Sequence, residues 1–124
     1  MALFLISQSF NNGSLITVDY EERFSDAELE KIIEEGLIYM CACPAQVAEA
    51  IRKIRELHRY QADCLNDPEN DSEVHRTIAM SAARVHTEMQ DCMEKILILE
   101  KWDRTTLTMP PHLRARQAKF LQDD

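Results

Sequence analysis

The chain has 124 residues, 45% of them hydrophobic, and a formal net charge of −8 at pH 7. This length suits one domain with one small core, and the hydrophobic share is too high for a globally disordered chain. The negative charge disfavours direct binding to nucleic acid or to an anionic membrane, because that partner would carry charge of the same sign. We therefore predict a single domain over residues 1–124.

No segment has the pattern of a signal peptide or a membrane span. The apolar start, residues 1–6, is short and lacks the basic region of a secretory signal. The longest apolar run, residues 37–44, is far below the roughly 20 residues that cross a bilayer. With four cysteines and no targeting segment, we expect a cytoplasmic chain with reduced thiols.

A β-hairpin is predicted over residues 2–20, because Asn12-Gly13 separates two runs of strand-forming residues. A two-residue loop at this point would pair Ile6 with Asp19 and place Tyr20 on the face that packs on the core. The opposite face would be free to bind a partner. Its residues, the predicted partner-binding set, are Phe4, Ile6, Phe10 and Leu15.

A capping box is predicted at Ser25 and Glu28, where each side chain accepts a hydrogen bond from the backbone N–H of the other residue. A helix is therefore predicted over residues 26–41. Gly36 interrupts its apolar stripe, so the alternative is a helix that ends there and a short buried strand over residues 37–43. We favour the helix.

Two longer helices, about 44–65 and 72–102, are predicted from apolar residues that alternate at spacings of three and four. Pro44 suits the first turn of a helix. The polar run between the two segments predicts a loop, so the helices would form an antiparallel hairpin. Its coiled-coil-like seam would contain Val47, Ala50, Ile54, Leu57, Gln61 and Cys64 on one helix, and His75, Ile78, Ala82, Val85, Met89, Cys92, Ile96 and Leu99 on the other.

The end of the third helix is apolar nearly all round over residues 96–102, a pattern typical of a helix buried on every side. Residues 103–109 are predicted to be a linker, and Pro110-Pro111 is predicted to start a short basic helix over residues 110–121. The fold class predicted is α+β and mainly helical, with the β-hairpin packed on the helices.

The cysteines form no recognised metal site, and we predict no metal and no cofactor. Cys41, Cys43 and Cys92 are the weak metal candidates, because Cys-Ala-Cys lacks the spacing of a zinc knuckle. The pattern H-x₄-D-C occurs twice, but residues six apart on a helix point to different sides. The predicted seam places Cys64 against His75 instead, and an imidazole beside a thiol makes that thiol more reactive.

Acidic residues are concentrated between residues 19 and 35. The simplest interpretation of such a run is a solvated surface. It also suggests a surface that mimics nucleic acid. The predicted acidic patch consists of Glu21, Glu22, Glu28, Glu30, Glu34 and Glu35.

No catalytic constellation emerges, so we predict a protein that is not an enzyme. The first hypothesis is a protein–protein interaction or regulatory protein, either a homodimer or a subunit that binds one protein partner. The second is an inhibitor of a nucleic-acid enzyme that acts by acidic mimicry, as small phage or prophage proteins can. The third is a thiol or zinc sensor that uses Cys41, Cys43 and Cys92.

Overall fold

A computed structural model describes residues 3–9, 15–39, 42–69 and 72–111. Most of the predicted helix over residues 110–121 lies outside these ranges. The described part of the chain is mainly helical, as predicted, with one two-stranded antiparallel sheet. The described helices include none that is both long enough and apolar enough to cross a membrane.

Five elements follow one another along the chain, and all five fall at predicted positions. They are β1 (Leu3–Ser9), β2 (Leu15–Glu21), α1 (Asp26–Tyr39), α2 (Ala42–Cys64) and α3 (Ser72–Leu99).

The strands pair in a register one residue away from the predicted one. Ile6 pairs with Val18 and Phe4 pairs with Tyr20. The connection from the end of β1 to the start of β2 is longer than a two-residue turn, and loop length fixes the register of a hairpin. Because paired positions share a face of the sheet, the positions of Phe4 and Ile6 lie on the face of Tyr20, not on the opposite face as predicted.

The predicted capping box opens α1. The backbone N–H of Ser25 donates to Glu28 Oε1 at 2.8 Å, and the N–H of Glu28 donates to Ser25 Oγ at 3.0 Å. The helix continues through Gly36 to Tyr39, and α2 has already begun at Ala42. For the described residues of the 37–43 segment, the favoured prediction of helix is therefore confirmed. Residues 40 and 41 lie outside the described ranges.

α2 begins just before the predicted start at residue 44, so Pro44 is not its first residue. Pro44 still lies in the first turn of α2. The N–H groups of that turn have no acceptor within the helix, so a residue without an N–H costs little there.

The chain forms two compact units. Unit 1 comprises Met1–Arg23 and Ile51–Met89, and unit 2 comprises Phe24–Ala50 and Gln90–Asp124. Unit 1 therefore holds both strands, most of α2 and the first part of α3. Unit 2 holds α1, the start of α2, the end of α3 and the segment that follows α3.

Within unit 1, α2 and α3 run antiparallel, because Arg55 contacts His86 and Gln61, further along α2, contacts the earlier His75. The predicted seam is wrong by one residue along the middle of both helices, although Gln61 and Ala82 are buried as predicted. Leu57 and Val85 are 45% and 48% exposed, whereas the interior holds the next residue on each helix, His58 and His86. Apolar periodicity selects the wrong phase because the real seam contains polar side chains.

In unit 2, α3 ends at Leu99 and not at residue 102. The backbone N–H of Trp102 donates to the carbonyl of Leu97 at 2.9 Å, and the N–H of Lys101 donates to that of Ile98 at 3.0 Å. Lys101 has a φ of 61°. These features define a Schellman motif, in which Leu97 and Trp102 are the buried apolar contact that accompanies it.

The prediction that the end of α3 is buried on every side is wrong. Ile98 and Leu99 are 74% and 76% exposed, although Leu97 and Trp102 are buried. The predicted linker over residues 103–109 is also wrong, because Asp103 and Thr108 form a β-bridge. The Asp103 carboxylate accepts hydrogen bonds from the backbone N–H groups of Thr106 and Thr105, which lower the pKa of Asp103. Leu107 and Met109 are buried in this ordered loop.

Candidate functional site

A cluster of polar and aromatic side chains occupies the interior of unit 1. We call it the buried polar cluster. Three of its side chains are almost completely enclosed, with exposures of 1% for Arg55, 3% for His58 and 0% for His86. The members are Tyr20 and Glu22 at the end of β2, Arg55, His58 and Arg59 on α2, and His86 on α3.

Three rings hold β2, α2 and α3 together within this cluster. Tyr20 stacks on His58 with ring centroids 3.9 Å apart and an interplanar angle of 8°. Its centroid also lies 4.6 Å from that of His86, with the rings tilted by 35°. Such contacts contribute about 0.5–1.5 kcal/mol beyond the burial of the rings. One strand residue thus contacts both helices of unit 1.

Glu22 joins the strand end to α2 by charge. Its carboxylate accepts a hydrogen bond from the Tyr20 hydroxyl at 2.7 Å and one from Arg59 at 2.8 Å. Burial alone would raise the pKa of Glu22. The hydrogen bonds from Tyr20 and Arg59, together with the charge of Arg55, outweigh burial and lower it. Burial and the Glu22 carboxylate raise the pKa of Tyr20, so the hydroxyl keeps its proton and remains a donor.

Arg55 and His86 form the deepest contact between α2 and α3. Arg55 Nε donates to His86 Nε2 at 2.9 Å. A guanidinium only donates, so His86 Nε2 must accept and the ring must be neutral, with its proton on Nδ1. Burial, and then the positive charge of Arg55, lower the pKa of His86 to about 4. Burial also lowers the pKa of His58.

Two ring nitrogens of the cluster, His58 Nε2 and His86 Nδ1, are buried and have no hydrogen-bond partner among the residues that the structure describes. A buried polar atom left in this state costs about 1–3 kcal/mol. These two atoms therefore lower the free energy of unfolding of unit 1, and its interior has little room to accommodate an added proton.

The sequence pattern H-x₄-D-C contains a signal that sequence reasoning missed. Its two histidines, His58 and His86, meet at Tyr20, while Cys64 and Cys92 are only half-buried. The two copies share a helical phase, and that phase is the interior one. His75 forms a hydrogen bond with the buried amide of Gln61, and the predicted pairing of His75 with Cys64 stays a prediction.

The cysteine candidates remain untested as metal ligands. Cys43 is exposed and Cys92 is half-buried, and Cys41 lies outside the described residues. Within the described ranges there is no group of three or more His, Cys, Asp or Glu side chains placed to hold a metal ion.

Only some members of the predicted acidic patch are exposed. Glu22 belongs to the buried polar cluster of unit 1. Glu35 is 3% exposed in unit 2, where it accepts a hydrogen bond from the Met109 N–H at 2.9 Å and lies 3.5 Å from Lys31 Nζ. Glu35 therefore lies in the interior, and Glu22 is half-buried. Of the remaining four, Glu21 and Glu28 are half-buried, and Glu30 and Glu34 are exposed on α1.

The predicted partner-binding residues stay a prediction. Phe4, Ile6 and Leu15 lie on the two strands, where only their backbone pairing is described, and Phe10 lies outside the described residues.

Unit 2 carries two exposed aliphatic pairs, and one of them, Ile98 and Leu99, is predicted from the sequence to be buried. Leu37 and Ile38 at the end of α1 are 75% and 58% exposed. Ile98 and Leu99 at the end of α3 are 74% and 76% exposed. Single exposed aliphatic residues are common on soluble proteins, but adjacent ones at two helix ends are typical of a binding surface.

Contacts near the start of α1 indicate the direction in which α1 runs relative to α3 within unit 2. The Phe24 N–H donates to Gln90 Oε1 at 3.4 Å. Arg104 lies 3.6 Å from Glu28 and 3.1 Å from Glu94, and its guanidinium lies 4.2 Å from the centroid of the Phe24 ring. The contacts advance along both helices in the same direction. The C-terminal ends of α1 and α3, and with them the two aliphatic pairs, therefore lie at the same end of unit 2.

No known protein family, curated protein or solved structure matches the chain. Function must therefore come from the chemistry of the described residues. The buried polar cluster encloses its reactive groups, while the exposed aliphatic pairs present apolar surface to solvent.

Proposed function

We propose that the protein is a non-enzymatic protein–protein interaction subunit that binds its partner through the exposed aliphatic pairs of unit 2. The observation that supports this is the exposure of Leu37, Ile38, Ile98 and Leu99, each more than half open to solvent. Each square ångström of apolar surface removed from water contributes about 25 cal/mol, so burying these four side chains against a partner would be a substantial driving force for association.

A non-enzymatic role is supported by the placement of the titratable side chains in unit 1. Tyr20, His58 and His86 are at most 3% exposed, so a substrate has no access to their reacting atoms. Glu22 and Arg59, the more open members of the cluster, are already bonded to each other. The cluster holds β2 against α2 and α3, so its role is structural, and the surface of unit 2 binds the partner.

The predicted contacts of the β-hairpin, Phe4, Ile6, Phe10 and Leu15, stay a prediction apart from this proposal, because the positions of Phe4 and Ile6 lie on the face of Tyr20 and that of Leu15 lies on the opposite face. The exposed aliphatic pairs of unit 2 come first in this proposal, because the exposure of their side chains is described.

The experiment compares three tagged proteins: wild type, the double variant Ile98→Gln/Leu99→Gln, and the control Val74→Gln/Val85→Gln. The control changes two half-exposed aliphatic residues of the same helix, but in unit 1. Glutamine is a good helix former, so both variants should fold like wild type by far-UV circular dichroism.

We expect chemical cross-linking in cells, read by quantitative mass spectrometry, to recover one dominant protein with wild type and with the control. That protein is either a second copy or another chain. Its recovery with Ile98→Gln/Leu99→Gln should fall at least tenfold. Equal recovery with all three proteins, or recovery of nothing above background with wild type, would contradict the proposal.

A further inference from the structure

The two exposed aliphatic pairs are preceded by charges of opposite sign at the same spacing. On α1, Glu34 stands three and four residues before Leu37 and Ile38. On α3, Lys95 stands three and four residues before Ile98 and Leu99. Residues three and four apart lie on the same side of a helix. Each helix end therefore presents a charge followed by an aliphatic pair on its exposed side.

The residues between these positions face inward, which confirms that the charges belong to the exposed side. Glu35 and Leu97 are 3% and 2% exposed, whereas Glu34 and Lys95 are exposed. Glu30, one turn before Glu34 on α1, is also exposed and acidic. The charges around Lys95 are mixed, because Asp91 and Glu100 are half-buried acids and Lys101 is an exposed base.

We infer that the partner bound by the exposed aliphatic pairs is a second copy of this chain; this inference rests on the proposed function. The end of α1 in one copy packs against the end of α3 in the other, and a two-fold axis repeats the contact. Glu34 of each copy then lies beside Lys95 of its partner, and the aliphatic pairs are covered together.

Charge complementarity is what selects a second copy over an unrelated partner. A two-fold interface uses the same surface on both subunits, so it must carry its own complement. Here one chain supplies both halves of the match, Glu34 on α1 and Lys95 on α3. Charges at the rim of an interface direct partner choice and orientation more than they add affinity.

The test measures the mass of the purified full-length protein by sedimentation equilibrium over a wide concentration range. We expect wild type to form a dimer. Glu34→Lys and Lys95→Glu each place like charges together twice per dimer, so each should weaken self-association about tenfold or more. An equimolar mixture of the two variants restores both attractive pairs in a heterodimer, so mixing should restore association to near the wild-type level.

The aliphatic variants separate this inference from the proposed function. Ile98→Gln/Leu99→Gln should be monomeric, while Val74→Gln/Val85→Gln should remain dimeric. A wild-type protein that stays monomeric at every concentration overturns the inference, as does a dimer that the charge variants leave unchanged. If wild type is monomeric but cross-linking recovers a different protein through Ile98 and Leu99, the proposed function stands and the second copy is excluded.

Discussion

Arg55 is a charged side chain with 1% exposure, and its surroundings explain how it is tolerated there. Burying a charge without partners costs several kcal/mol. Arg55 donates to a neutral imidazole, and the Glu22 carboxylate lies 4.0 Å from its Nε. The neutral state of His86 is therefore a condition for the packing of Arg55, because a protonated ring would have no lone pair to accept the bond.

This condition predicts a specific dependence of stability on pH. Histidine in an unfolded chain has a pKa near 6.5, and folding lowers the pKa of His86 to about 4. Between these values the unfolded chain binds a proton that the folded chain does not, so the free energy of unfolding falls as pH falls from about 6.5 to about 4. The contribution of His86 is present in full above that window and totals on the order of 3 kcal/mol.

We expect His86→Asn to be less stable than wild type at pH 7 but to lose less of its stability on acidification. Urea unfolding of both proteins at several pH values across this window measures the difference. His58 and Glu22, whose pKa values folding also lowers, are present in both proteins, so the difference isolates His86. Parallel curves for the two proteins would contradict the assignment of a neutral, buried His86.

At the scale of elements, α3 ends without a residue that normally ends a helix. The Schellman motif places Lys101 in the left-handed region, where glycine is favoured because a side chain strains the backbone. This strain costs about 1 kcal/mol. The predicted helix is therefore too long, because the sequence has no glycine at this position to mark its end. The end of α3 depends instead on the packing of Trp102 against Leu97.

We expect Lys101→Gly to stabilise the protein by about 1 kcal/mol, since glycine adopts this conformation without strain. Lys53→Gly is the matched control, because Lys53 is highly exposed in the middle of α2, where glycine costs about 1 kcal/mol relative to good helix formers. Urea unfolding followed by circular dichroism measures both. If Lys101→Gly destabilises the protein as much as Lys53→Gly does, Lys101 is not in a strained conformation.

The elements that the sequence predicts well are those decided by local chemistry. Ser25 and Glu28 are three residues apart and cap α1 by themselves, so their pattern is readable before any packing is known. The strand register and the seam depend on partners distant in the chain. The predicted register is one residue off, and so is the middle of the predicted seam. Arg59 and Glu22 are 37 residues apart. No helical periodicity shows that a polar position such as Arg55 will be interior, so the buried polar cluster could not be predicted. Apolar pattern alone likewise predicts a buried end for α3, although Ile98 and Leu99 are exposed.

At the scale of the whole molecule, both long helices run through both units. The boundary between the units cuts α2 between Ala50 and Ile51, and it cuts α3 between Met89 and Gln90. Helix formation is cooperative, so unfolding one unit alone would require breaking two continuous helices in their interiors. We therefore expect the two units to unfold in one transition, as the predicted single domain would.

The variants Met80→Ala and Leu29→Ala test this expectation. Met80 is 1% exposed in unit 1 and Leu29 is fully buried in unit 2, so each substitution should cost about 2–5 kcal/mol. The single tryptophan, Trp102, belongs to unit 2 and reports its unfolding by fluorescence. Leu29→Ala must shift the Trp102 transition in any case, which makes it the control. Met80→Ala should shift that same transition to lower urea by a comparable amount, in coincidence with the circular dichroism signal. A Trp102 transition that Met80→Ala leaves in place, beside an earlier loss of helix, would instead mean that the two units unfold independently.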